Sequence, residues 1–297
     1  MENIIIGVIS SVIGAIIIAF VSRTYRKIRT EQNMITSVKL ETTPFFKNDS
    51  TINLNKINFI YGDNATGKTA FADWISTLEN DDRISRWELE ENCFPIVFTT
   101  KLRNSKIDYV RININSNGVT YYSNNHKSVV SPISYKFVFI ENINLSAETA
   151  IEFISKQLSI KQTQLIKLID EYGSQPILSV DGIKTQNDLV LIKLHNKRNW
   201  DSFSVLSSSE KQRIVIELGV LLCIAYSKAN NIVLVVEESS FCLNKRYFKM
   251  LMDRLSKNHY KFQIIFLSVY EPYFDLNNKI NAFVLTNKIP DVEIIPV

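Results

Sequence analysis

One eight-residue segment constrains this chain more than any other: Gly62-Asp63-Asn64-Ala65-Thr66-Gly67-Lys68-Thr69. Its glycine, glycine-lysine and threonine spacing is that of a phosphate-binding loop. Ile57 to Tyr61 before it reads as a short apolar strand. Thr69 to Leu78 after it reads as a helix, with Ala70, Phe71, Trp74, Ile75 and Leu78 on one face. Gly62 and Gly67 allow the backbone angles that aim N–H groups at phosphate oxygens, and the helix N-terminus adds a favourable dipole. Lys68 is placed to reach β- and γ-phosphates, and the Thr69 hydroxyl to hold Mg²⁺. Asp63, Asn64, Ala65 and Thr66 complete the cradle. The ligand it points to is ATP with Mg²⁺.

Two later segments extend this reading. Asn231 to Val236 is an apolar strand that ends in Glu237-Glu238. Neighbouring side chains on a strand point oppositely, so the two acids divide the work at its end. Glu237 is the candidate on the metal side, directly or through water. Glu238 is the candidate general base or water-positioner. Leu206-Ser207-Ser208-Ser209-Glu210-Lys211-Gln212-Arg213 opens an apolar helix from Ile214 to Tyr226. Ser207 or Ser208 is its N-cap, with Glu210 or Lys211 beginning the first turn. A serine-rich cap offers hydroxyls and free N–H groups to an anion. Taken alone, it is a capped helix.

The remainder gives an α/β outline. Ile35 to Glu41 alternates like an edge strand. Phe94–Thr99, Ile107–Ile114, Val119–Tyr122 and Tyr135–Ile140 are β-rich runs separated by Asn-rich turns, and 94–140 reads as an antiparallel lobe. Within 145–172, Ile151, Ile154, Leu158, Leu165, Leu168 and Tyr172 follow helical spacing interrupted at Lys161, which fits one amphipathic helix or a helical hairpin. Ile232–Val236 and Phe262–Leu267 are uninterrupted apolar runs, the mark of strands buried on both faces of a parallel sheet.

Ile4 to Val21 carries no charge over 18 residues, just enough to span a bilayer. Arg23, Arg26, Lys27 and Arg29 follow it, whereas Glu2 is the only charged side chain before it. A signal peptide has the reverse arrangement. Residues 1–22 therefore read as a single-pass anchor with the N-terminus outside, 23–34 as a basic linker, and 35–297 as a cytoplasmic domain. A buried core helix is the other reading of the run. Without these four bases and Glu2 the chain holds 30 basic and 29 acidic residues, so bulk charge gives no nucleic-acid footprint. Cys93, Cys223 and Cys242 have no metal spacing, and His126, His195 and His259 are scattered.

In series, the three motifs resemble an ABC-type ATPase, and residues 35–297 resemble the SMC, RecF and overcoming-lysogenization-defect class. Gly62 to Thr69 match Walker A, Leu206 to Glu210 the signature, and Ile232 to Glu238 a Walker B of the Glu-Glu variety. Ser239 to Asn244 is similar to the D-loop segment. The resemblance implies a head-to-tail homodimer in which Ser207 and Ser209 of one copy close over the ATP of the other. It also implies ATP hydrolysis with Lys68 and Glu238 as catalytic residues, and a protein partner that receives the switch. Small bacterial members occur in phage-defence systems. The chain departs from the pattern in four places. Ser209 and Ala65 stand where glycines are usual. The strand Phe266–Ser268 is followed by Val269-Tyr270-Glu271, with no switch histidine, so Ser268 or Tyr270 stands there. A Q-loop glutamine is absent after Phe94–Thr99. These departures make ATP binding firmer than fast turnover, and leave a non-hydrolysing membrane scaffold and a DNA-structure binder as alternatives.

Overall fold

The structure, a computed structural model, describes residues 34–80, 82–87, 96–103, 107–124, 126–141, 149–175, 179–195, 197–227, 231–237, 245–258, 260–272, 279–286 and 292–297. A central sheet is formed by β3 (Ile57–Gly62), β8 (Tyr135–Ile140), β12 (Asn231–Glu237), β13 (Phe262–Ser268), β14 (Ile280–Thr286) and β15 (Glu293–Pro296), in the order β15-β14-β3-β13-β12-β8. All pairings are parallel except β14 with β15. β13 is buried at all seven positions and β3 at all six, as continuous apolar runs require when both faces are covered.

The two faces carry two cores. On one side Phe59, Val138, Leu234, Val236 and Phe266 pack against the helices α2 (Ala150–Gln157), α3 (Gln162–Tyr172), α4 (Ser208–Tyr226) and α5 (Lys245–Lys257). On the other, Ile60, Val233, Val235, Ile265 and Leu267 meet α1 (Lys68–Ser76) and an antiparallel sheet. That sheet runs β2-β1-β4-β5-β6-β7, from β1 (Met34–Thr42), β2 (Ser50–Asn53), β4 (Ile96–Arg103), β5 (Tyr109–Asn115), β6 (Gly118–Ser123) and β7 (His126–Ser128). Buried Gln263 of β13 pins the two sheets together: its Nε2 donates to the Ile35 carbonyl at 2.8 Å and to the Asn55 carbonyl at 2.7 Å.

Three expectations need correction. β1 is interior, flanked by β2 and β4, and is not an edge strand. Tyr135–Ile140 does not belong to an antiparallel lobe: β8 pairs in parallel with β12 from Tyr135 to Ile140. Alternation within a run marks a strand but not the sheet it joins. Residues 145–172 do not project as an arm; over the described part they form two helices, α2 and α3, capped at Thr149 and Lys161. Ile151, Ile154, Leu165 and Leu168 bury against the central sheet's helical layer. A three-stranded sheet of β9 (Gly182–Gln186), β10 (Leu189–Lys193) and β11 (Asp201–Ser202) stands before the signature helix.

Among the described residues no helix is long and apolar enough to cross a membrane. Ile4–Val21 and the linker that follows lie outside the described residues.

Candidate functional site

The phosphate loop sits where β3 hands over to α1. Gly62 has φ +156°, and a Cβ there would lie 2.5 Å from the Leu285 carbonyl oxygen of the neighbouring strand. Gly67 caps α1 at φ +83°, with the Phe46 ring 2.9 Å from where its Cβ would be. Both positions exclude a side chain by conformation and by space. Ala65, which replaces a frequent glycine, nevertheless adopts φ +63°. The left-handed bend is thus kept at a cost of about 1–2 kcal/mol for an L-residue.

Lys68 is folded into the loop. Its Nζ donates to the carbonyls of Gly62 and Asp63, both at 2.7 Å, and to Thr66 Oγ1 at 3.3 Å. Burial holds its pKa below the usual lysine range, opposed by the charges of Glu237 and Asp63. Thr66 Oγ1 in turn donates to the Asp63 carbonyl at 2.9 Å. The loop is a closed ring of oxygen acceptors around one ammonium group.

The acid strand arrives beside it. Thr69 Oγ1 donates to Glu237 Oε1 at 3.0 Å, across 168 residues of sequence. The two candidate metal-side residues are therefore adjacent. Their donor set is a hydroxyl and a carboxylate, oxygen only, which suits a hard cation such as Mg²⁺ completed by phosphate oxygens. Among the described residues no group of three His, Cys, Asp or Glu side chains forms a metal site by itself. Glu238 and Ser239 to Asn244 lie outside the described residues.

Register brings in a residue that motif reading missed. The last β8–β12 pair is Ile140 with Val236, so Glu141 leaves the sheet level with Glu237 on the neighbouring strand. β4, after which the Q-loop was expected, belongs to the antiparallel sheet; β8 is the strand that flanks β12. Glu141 is tied by an ion pair to Arg83, whose Nε also bonds Asp73 Oδ1 at 2.6 Å. Asp73, on α1, is fully buried and accepts a second bond from Trp87 Nε1 at 3.1 Å. The Arg83 guanidinium stacks over the Phe139 ring, 3.5 Å from its centroid. The helix behind the phosphate loop and the end of β8 are thus linked through one arginine. The signal for this was not local: Asp73, Arg83 and Glu141 span 69 positions and share no motif.

The signature segment is built as a capped helix start. Ser207 is the N-cap of α4: its Oγ accepts from Glu210 N at 3.4 Å, and Glu210 Oε2 accepts from Ser207 N at 2.9 Å. Ser207 Oγ also donates to that carboxylate at 2.7 Å, and these bonds hold the Glu210 carboxyl below its usual range. Ser207, Ser208 and Ser209 are exposed, while Leu206 anchors the segment in the core. Deeper in α4, Glu217 is buried, which pushes its pKa up. Both its carboxylate oxygens accept from Ser179 N, and Tyr247 of α5 donates to one of them at 3.2 Å. Signature helix and the helix after the acid strand are joined there. In the switch region, Ser268 is buried and its Oγ accepts from Tyr270 N at 2.9 Å, while Tyr270 is 61% exposed.

No family model matches the chain, and no curated protein sequence matches it. Solved structures do. An SMC head bound to the C-winged helix domain of ScpA aligns with TM-score 0.60 at 14% identity, over 89% of this chain and 98% of that one. The SMC head domain from Thermotoga maritima aligns at TM-score 0.53 and 20% identity, over 89% and 98%. The recombination mediator RecF aligns at TM-score 0.55 and 10% identity, over 90% and 99%. The chain has the fold of SMC and RecF heads, the ABC-type ATPase class.

Proposed function

We propose that this protein binds ATP with Mg²⁺, dimerises around it and hydrolyses it slowly, as a switch for a partner protein. The observation that carries the reading is the Thr69–Glu237 hydrogen bond, which joins the phosphate loop to the acid strand. Lys68 exchanges its carbonyl acceptors for β- and γ-phosphate oxygens when nucleotide enters. Thr69 and Glu237 would hold Mg²⁺, which supplies charge neutralisation at the phosphates. Glu238 then orients or deprotonates the attacking water. Exposed Ser207 and Ser209 meet the γ-phosphate of a second copy, in the head-to-tail arrangement that the resemblance implies.

The anchor of residues 1–22 places this switch on the cytoplasmic face of a membrane. The small size, the anchor and the absence of an effector motif in the sequence accord with a role in bacterial phage defence through a partner.

A non-hydrolysing ATP-dependent scaffold is the second reading. It is favoured by the Ser209 side chain and by Ser268, which turns its hydroxyl onto its own backbone. Phosphate release from the full chain separates the two. The expected result is slow turnover that falls about 10²-fold or more in Glu238→Gln. Equal rates in both proteins would sink the hydrolytic reading and leave the scaffold.

A further inference from the structure

The outer face of the antiparallel sheet carries a charge pattern that the ATP site does not use. Strand alternation buries Val38, Leu40, Phe98, Val110 and Ile112 and leaves Lys39, Lys101, Arg103, Arg111 and Lys127 exposed. The register sets them in rows. Lys39, Thr99, Arg111, Tyr122 and Lys127 stand side by side across five strands, and Ser37, Lys101 and Tyr109 form the next row. Against these five bases the described strands set one acid on this face, Glu41, which pairs with Arg111. Lys39 reaches Asp49 in the adjoining turn. Lys101, Arg103 and Lys127 form no ion pair among the described residues. Outside residues 1–29 the chain's charges are balanced, so this face is a local sorting of positive charge.

The face also lies where the chain enters the sheet. Met34, its first described residue, pairs with Arg103. Twelve residues, 22–33, separate it from the apolar run 4–21, a reach of at most about 40 Å.

We propose that this sheet face docks on the anionic headgroups of the bilayer that holds the apolar run; the inference rests on the proposed anchor. Lys and Arg gain from the negative potential of an anionic leaflet within about a Debye length of its surface. Tyr109, 47% exposed, and Tyr122 supply amphipathic rings of the kind found at headgroup level. Bases spread over a broad sheet face match a planar charged surface, whereas a duplex is read by an element that enters a groove. Docking fixes the orientation of the head, because α1 and the phosphate loop lie behind this same sheet.

The test uses the full chain, with a photo-crosslinking residue at Tyr109, in vesicles of phosphatidylcholine alone or with about 30% phosphatidylglycerol. Resistance to alkaline extraction reports the anchor; phospholipid adducts at position 109 report docking. The expected result is extraction resistance in both vesicles, with adducts at least about tenfold more frequent when phosphatidylglycerol is present. They fall back in the triple variant Lys101→Glu, Arg103→Glu, Lys127→Glu, and in about 0.5 M salt. Unchanged thermal unfolding shows that the triple variant is folded. Extraction resistance with equal adducts in the two vesicles would overturn the docking and leave the anchor. Extraction from both vesicles overturns the anchor, and the docking with it. ATP-dependent duplex binding lost in the triple variant, without lipid adducts, assigns the face to nucleic acid and overturns the proposal too.

Discussion

Lys68→Ala is expected to weaken ATP binding by about 100-fold or more, as measured by titration calorimetry or a fluorescent nucleotide. The side chain is half of the loop's internal wiring. Its Nζ satisfies the carbonyls of Gly62 and Asp63 and the hydroxyl of Thr66, and those are the groups that hold the cradle's shape. A charge-assisted hydrogen bond is worth about 1.5–3 kcal/mol, and Lys68 would make more than one to phosphate. The same substitution has a smaller effect on the fold. The ammonium group is already disfavoured by burial, as its lowered pKa records, so its removal relieves a desolvation cost while it strands the carbonyls. Loss of binding with a nearly normal melting temperature is therefore the expected signature. Loss of both together would place Lys68 in the scaffold rather than in the site.

Asp73→Ala should do the opposite, and unfold the protein. Asp73 is fully buried, on the inner face of α1, and its two oxygens hold Arg83 and Trp87. Removal of one partner of a buried ion pair costs about 3–5 kcal/mol, because the other charge is left uncompensated. Arg83 keeps Glu141, so the lower end applies, about 3 kcal/mol and a fall in Tm of about 6–12 °C. Asp73→Asn keeps an acceptor for the Trp87 N–H or for Arg83 and should lose less. The effect reaches the site as well, since Arg83 sets the position of Glu141 beside Glu237. A melting temperature unchanged in Asp73→Ala would show that the cluster carries no load.

What could be read in the sequence follows from what is local. The loop, the helix after it and the strands at 57–62, 231–237 and 262–268 were legible, because each is a contiguous pattern bounded by glycine or charge. Ser207 as the cap followed from its distance to Glu210, and the pair forms a reciprocal capping box. Sheet membership was not legible. Tyr135–Ile140 has the same β-rich look as its antiparallel neighbours, and only its pairing to a strand some hundred residues later sends it to the central sheet. For the same reason Glu141 was missed and the Q-loop was sought after the wrong strand. Arg83 and Asp73 were missed because a buried charge is visible only through its burial. The sheet at 182–202 is made of short, partly exposed strands that leave a weak alternation. The charge sorting on the outer face was hidden by a balanced total, since rows across strands join residues from positions 37 to 127.

The central claim is that one site, shared between Lys68, Thr69 and the acid strand, binds ATP and brings two copies together through the signature. It is tested most directly by the mass of the detergent-solubilised full chain carrying Glu238→Gln, measured by light scattering with and without ATP and Mg²⁺. The account predicts a doubling of protein mass with ATP, none with ADP, and none with ATP once Ser207→Arg or Lys68→Ala is added. A mass that stays the same at saturating ATP, or that doubles equally in the Lys68→Ala protein, would contradict it.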